Sequence, residues 1–89
     1  MKWVLGVIGG SGLYEMPGLE EVARVEVDTP YGAPSDSLLR ARVTGTDQEL
    51  LFLPRHGRGH RIPPHEINYR ANVCALKKAG ATHLLSISA

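Results

Sequence analysis

The residues best equipped for chemistry stand together at Leu53-Pro54-Arg55-His56-Gly57-Arg58-Gly59-His60-Arg61, with three arginines, two histidines and two glycines in nine residues. A guanidinium presents a rigid fork of donors that matches a tetrahedral oxyanion bidentately. An imidazole beside it adds a further donor, and glycines let main chain approach a ligand closely. The apolar run Leu50 to Leu53 leads straight into this cluster. Such a run is a strand that delivers a cationic loop to an edge of a sheet. The implied chemistry is the binding of a phosphate-like anion.

The other half of such a site is expected at Gly9-Gly10-Ser11-Gly12, which follows an apolar strand near the start of the chain. Successive main-chain N–H groups in a turn of this kind converge on anions. A tight turn without a ligand explains the same residues equally well. The dinucleotide fingerprint fails, because Gly10 and Gly12 match it but Glu15 occupies the third glycine position. No Gly-Lys-Ser/Thr follows, which excludes a nucleoside-triphosphate loop. Ser11 and Ser88 each stand where an apolar strand ends; capping a turn is the ordinary role for serine there. If the first and last strands are neighbours, both hydroxyls face the crevice that Arg55 and His56 enter. His56, His60 and His65 are spaced H-x3-H-x4-H, a zinc-like pattern. The lone cysteine is distant, no carboxylate lies in the loop, and Arg58 and Arg61 repel a dication, so no metal is expected. A merely solvated basic loop is the plainer alternative, but it does not explain Arg-His with Gly-x-Gly directly after a buried strand.

The elements that must position these groups follow from periodicity. Residues 3–8 read as a short strand buried on both faces, as in a parallel sheet. Residues 13–19 read as a turn or one loose helical turn, stopped by Pro17-Gly18. Residues 21–27 alternate with Val22, Val25 and Val27 as a half-exposed strand, and residues 28–37 are a structured loop. Strands at 38–43 and 50–53 are joined by the hairpin residues Thr44-Gly45-Thr46-Asp47. The clearest helix runs over residues 65–79, with Pro63-Pro64 at its entry, Lys77-Lys78 in its last turn and Gly80 beyond. Ile67, Ala71 and Cys74 make one apolar stripe on it; Tyr69, Val73 and Leu76 make a second. A helix apolar on two sides is either sandwiched or shared with a partner subunit. Residues 84–89 read as another buried strand. A chain that stops there needs further layers to cover that strand, so the expectation is the N-terminal part of a longer enzyme, 1–89 forming part of a single α/β domain.

Composition narrows the class further. The chain has 89 residues, 43% of them hydrophobic and 21% charged, which allows one soluble globular domain with a small core. A net charge of +1 gives no overall field for nucleic acid or an anionic membrane. The single cysteine, Cys74, precludes an internal disulfide framework and fits a reducing compartment. The apolar run near Lys2 is too short and too glycine-rich for a signal peptide or a membrane span. A cytoplasmic protein is inferred.

The motifs together resemble the methylthioadenosine phosphorylases, in the trimeric class of purine nucleoside phosphorylases. The resemblance is carried by Val7-Ile8-Gly9-Gly10-Ser11-Gly12-Leu13-Tyr14, Thr29-Pro30-Tyr31-Gly32-Ala33-Pro34-Ser35 and Pro54-Arg55-His56-Gly57-Arg58-Gly59-His60. Asn68-Tyr69-Arg70-Ala71-Asn72 and Ser86-Ile87-Ser88-Ala89 continue it. It implies a mixed central sheet flanked by helices, and a considerably longer chain. It implies phosphorolysis: inorganic phosphate attacks the anomeric carbon of a 5'-methylthioribonucleoside and releases the purine. In that pattern Ser11, Arg55, His56, Ser88 and the amide of Ala89 bind phosphate, while Gly10, Arg58 and His60 shape the loops. The acid that handles the purine is expected beyond Ala89, so these residues alone would be inactive. Phosphate is a substrate, no cofactor is implied, and the assembly is a homotrimer. Relatives that prefer methylthioinosine or ordinary purine nucleosides leave the substrate open, and a non-catalytic nucleoside- or phosphate-binding domain is the alternative class.

Overall fold

Alternation of side chains along the strands decides which residues meet the helix layer. The computed structural model describes residues 3–10, 17–57 and 62–87. Within them lie β1 (Val4–Gly9), β2 (Leu19–Val25), β3 (Leu38–Val43), β4 (Glu49–Pro54), α1 (Tyr69–Lys78) and β5 (His83–Ser86). The strands form one sheet in the order β2-β3-β4-β1-β5. β2, β3 and β4 pair antiparallel, whereas β1 runs parallel to β4 on one side and to β5 on the other. The expected mixed α/β sheet is present, and the first and last strands are indeed neighbours.

Ile8, Leu38, Leu51 and Leu53 share one face of the sheet, where α1 contributes Ala75 and Leu76. Leu51, Leu53 and Leu76 are fully buried, and each such side chain contributes about 1.5–3 kcal/mol. Gly6 lies beneath this layer: a Cβ there would stand 3.0 Å from Leu84 Cδ2 and 3.1 Å from Ala81 Cβ. The sheet and the connection after α1 are therefore packed more closely than a side chain at this position allows. Val7, Leu39 and Phe52, with Leu5 against them, occupy the opposite face. Among the described residues no helix covers that face, and an apolar groove of about 230 Å³ runs along it between Leu5, Leu39, Phe52 and Ile87.

Local chemistry explains the joints. Between β3 and β4, Val43 N–H donates to Gln48 O at 2.9 Å and Gly45 takes φ +81°, as hairpin residues should. α1 ends in a Schellman motif: Ala81 N–H donates to Leu76 O at 3.0 Å, Gly80 N–H to Lys77 O at 3.1 Å, and Gly80 has φ +111°.

Four expectations are corrected. The helix begins at Tyr69, not at His65. Pro63-Pro64 opens a separate 3₁₀ turn, Pro64–Glu66, after which Ile67 is extended and Asn68 caps α1 by accepting from Ala71 N–H. Leu76 belongs to the core-facing side with Ala71, Asn72 and Ala75, while Tyr69 and Val73 are exposed. β5 is exposed rather than buried along its whole length, because it is the sheet's edge and no described layer lies over it. β2 starts earlier than expected, and a register shift between Glu21 and Ala23 leaves Val22 outside the alternation of Val25 and Val27.

Candidate anion-binding site

The site is built on a turn. β4 ends at Pro54, buried and paired with Gly9 of β1. Gly57 N–H then donates to Pro54 O at 3.0 Å, closing a β-turn whose two central residues are Arg55 and His56. Gly57 has φ +73°, a conformation that a Cβ disfavours. The two residues singled out from the sequence are thus presented side by side, at the carboxyl ends of parallel strands. In open α/β sheets that is where ligands bind.

Arg55 ties three strand ends together. Its N–H donates to Gly9 O at 2.9 Å, and its Nη1 donates to Ile87 O, just past β5, at 2.7 Å. Ile87 N–H in turn donates to Ile8 O at 2.8 Å. Arg55 Nε approaches His56 Nε2 at 3.5 Å. Among the described residues the Arg55 guanidinium has no carboxylate partner, so its charge is not neutralised within the turn. His56 Nδ1 lies 2.9 Å from Ile62 O; a carbonyl only accepts, so Nδ1 carries a proton. Ile62 N–H also donates to His56 O at 2.9 Å. The ring is thereby fixed by the far end of its own loop.

Of the residues predicted to bind or shape the site, Arg55, His56 and Gly10 are described; Arg55 and His56 share the turn, and Gly10 follows Gly9, whose carbonyl accepts from Arg55 N–H. Ser11, Arg58, His60, Ser88 and Ala89 lie outside the described residues. Gly10, next to Ser11 in the chain, and Ile87, next to Ser88, follow the adjacent strands β1 and β5. A Cβ at Gly10 would meet nothing within 4 Å among the described residues, so no close packing there requires glycine. His65 is 80% exposed on the 3₁₀ turn with Glu66 Oε2 3.5 Å from its ring, far in character from the half-buried His56. Among the described residues no three metal-ligating side chains cluster.

Two residues of this neighbourhood escaped the reading by residue type. Ser35, 3% exposed, donates from Oγ to Arg55 O at 2.7 Å. Asn72, fully buried on the core side of α1, donates from Nδ2 to Ser35 Oγ at 3.1 Å and accepts from Ser35 N–H at 2.8 Å. The available signal was an asparagine between Ala71 and Ala75 on an apolar helix face, which must have a buried partner. Nearby, Asn68 Nδ2 donates to Tyr31 O at 2.8 Å. Gly32 N–H donates to Thr29 O at 3.2 Å, and Thr29 Oγ1 to Gly32 O at 2.6 Å, so the loop bearing Ser35 is docked on the start of α1.

A mixed sheet with an arginine-bearing turn at the ends of its parallel strands defines an α/β protein whose candidate site lies at those strand ends. Comparison with known proteins makes this specific. Residues 4–89 match the phosphorylase superfamily, and the chain belongs to that family. An S-methyl-5'-thioadenosine phosphorylase from Geobacter sulfurreducens is 55% identical over the full 89 residues, which are 30% of that protein. A purine nucleoside phosphorylase from Streptomyces coelicolor is 56% identical over 85 residues, 96% of this chain and 29% of the relative. The crystal structure of a variant adenosine/methylthioadenosine phosphorylase from Schistosoma mansoni, in complex with adenine, matches 99% of the chain and 29% of its own. That match has a TM-score of 0.86 and 49% identity. The chain therefore spans about a third of the length of the relatives it matches.

Proposed function

We propose that this chain forms part of a purine nucleoside phosphorylase of the methylthioadenosine type. The reaction converts 5'-methylthioadenosine and inorganic phosphate into adenine and 5-methylthioribose 1-phosphate, a step of purine and methionine salvage. The observation that carries the reading is the turn holding Arg55 and His56 at the ends of β4, β1 and β5. A phosphate dianion bound there takes its bonds from the Arg55 guanidinium, with the His56 imidazole beside it. Ser11, Ser88 and the Ala89 amide complete its ligands, and Gly10, Arg58 and His60 shape the surrounding loops. One phosphate oxygen forms the new bond to the anomeric carbon as the bond to the purine breaks, and the bonding electrons leave with the base. Holding the anion beneath the sugar supplies the nucleophile and opposes the positive charge that develops on the ring. Phosphate is a substrate in this scheme and no cofactor takes part.

The assembly is a homotrimer, supported by the exposed outer face of α1. Tyr69, Val73 and half-buried Cys74 line a groove of about 630 Å³ with Tyr31, rimmed by Arg70, Lys77 and Lys78. A cytoplasmic location agrees with the lone half-buried Cys74; no described helix is long and apolar enough to cross a membrane. A second substrate reading rests on the relatives: proteins named for methylthioadenosine and for purine nucleosides are equally similar to this chain. Ordinary adenosine or inosine, and methylthioinosine, are the competing substrates.

The test is base release from methylthioadenosine by the full-length protein, with and without phosphate, beside Arg55→Ala. Phosphate-dependent release that the variant loses by a factor of about 30 or more is expected, the scale of removing one partner of a desolvated charge pair. Undiminished release in buffer free of phosphate and arsenate would overturn the reaction. Phosphate binding without release from any of the four nucleosides would leave a binding domain instead.

A further inference from the structure

We infer that Ser35 and Asn72 are positioning residues for anion binding: they set the direction of one hydroxyl proton so that it holds the carbonyl of Arg55. The inference rests on the phosphate reading of the Arg55 turn and deepens it. Arg55 is pinned on both of its peptide planes. Its N–H is held by Gly9 O at 2.9 Å, and its carbonyl accepts from Ser35 Oγ at 2.7 Å. The second plane also carries the N–H of His56, so its tilt orients both side chains that face the anion.

A serine hydroxyl has one proton and can give it to only one acceptor. Asn72 decides which. Ser35 N–H requires an acceptor, and Asn72 Oδ1 meets it at 2.8 Å. That fixes the amide, so Nδ2 faces Ser35 Oγ at 3.1 Å and donates to it. The hydroxyl proton is thereby directed away from the helix and onto Arg55 O. Both side chains are buried, 3% exposed for Ser35 and 0% for Asn72. Water does not compete freely there, and the direction of each bond is strongly imposed.

The discriminating variant is Asn72→Asp, nearly identical in shape. A carboxylate keeps the acceptor for Ser35 N–H but replaces the donor with a second acceptor. The hydroxyl proton is then drawn to the helix, and the Arg55 carbonyl loses it. Ser35→Ala removes the same bond outright, and Ser35→Thr restores a hydroxyl. In the full-length protein, titration calorimetry with inorganic phosphate should show affinity falling about tenfold in Asn72→Asp and Ser35→Ala, the weight of one buried hydrogen bond. In turnover, KM for phosphate should rise by the same factor while KM for the nucleoside stays within twofold. Ser35→Thr should recover most of the loss. In an Arg55→Ala background, Ser35→Ala should cost clearly less phosphate affinity than in the wild type, since only the His56 share of the effect remains.

A purely architectural role predicts otherwise: lower melting temperatures, both KM values shifted together, and an undiminished loss in the Arg55→Ala background. That pattern overturns the inference, as does wild-type phosphate affinity in both Asn72→Asp and Ser35→Ala. If Asn72→Asp does not fold, Ser35→Ala with its threonine rescue decides alone. Wild-type protein that takes up no phosphate would remove the anion site itself, a failure plainly different from variants that bind like wild type.

Discussion

Arg55 makes one bond from its side chain to the end of β5 and two from its main chain, to Gly9 and to Ser35. Lysine at this position keeps the charge but not the fork, and an ammonium that reaches Ile87 O has less left for a ligand. Arg55→Lys in the full-length protein should therefore raise KM for phosphate at least about tenfold, the weight of one charge-assisted hydrogen bond. Gly57→Ala, at φ +73°, should destabilise the turn by about 1–2 kcal/mol, measurable as a lower urea midpoint. Arg55 and His56 were legible as a candidate site because arginine and histidine beside glycine, directly after a buried strand, do not read as a merely solvated loop. Ser35 and Asn72 were not, because their roles exist only once residues 37 positions apart are brought together.

At the scale of elements, α1 and the strand beneath it are matched by close contacts rather than by bulk. Gly6→Val places new methyl groups into atoms already 3.0–3.1 Å from an ideal Cβ and should destabilise by about 1–3 kcal/mol in urea unfolding. Asn68→Ala removes the cap of α1 and the bond to Tyr31 O together. The cap alone is worth about 1 kcal/mol, and the same unfolding assay should show at least that loss. The end of this helix was readable, since Lys77-Lys78 followed by glycine has one common meaning. Its start was not: Pro63-Pro64 is as good an opening for a 3₁₀ turn as for an α-helix, and Asn68 is the residue that decides. The bulge at Val22 was equally hidden, because alternation is judged residue by residue and one extra residue shifts the parity.

Across the whole molecule, the helix layer covers one face of the sheet, and Leu5, Val7, Leu39 and Phe52 line the other. Apolar runs separated by a helix made parallel pairing legible, since parallel neighbours require such a crossover; that the first and last strands are the neighbours followed only from the structure. The outer side of α1 was correctly read as apolar at Tyr69 and Val73, though not at Leu76. If trimers form through it, sedimentation of the full-length protein at micromolar concentration should give the trimer mass, and Val73→Glu should shift it toward monomer. The position of β1 in the sheet also bears on how the chain is made. β1 leaves the ribosome before the strands it pairs with, which are Glu49–Pro54 on one side and His83–Ser86 on the other. At about 5–20 residues per second its partners arrive seconds later. Meanwhile β2, β3 and β4 can zip up in sequence as each hairpin emerges. β1 is thus added to the β4 edge of a nascent meander rather than serving as its template, and through that interval its apolar residues await the strands that will flank them.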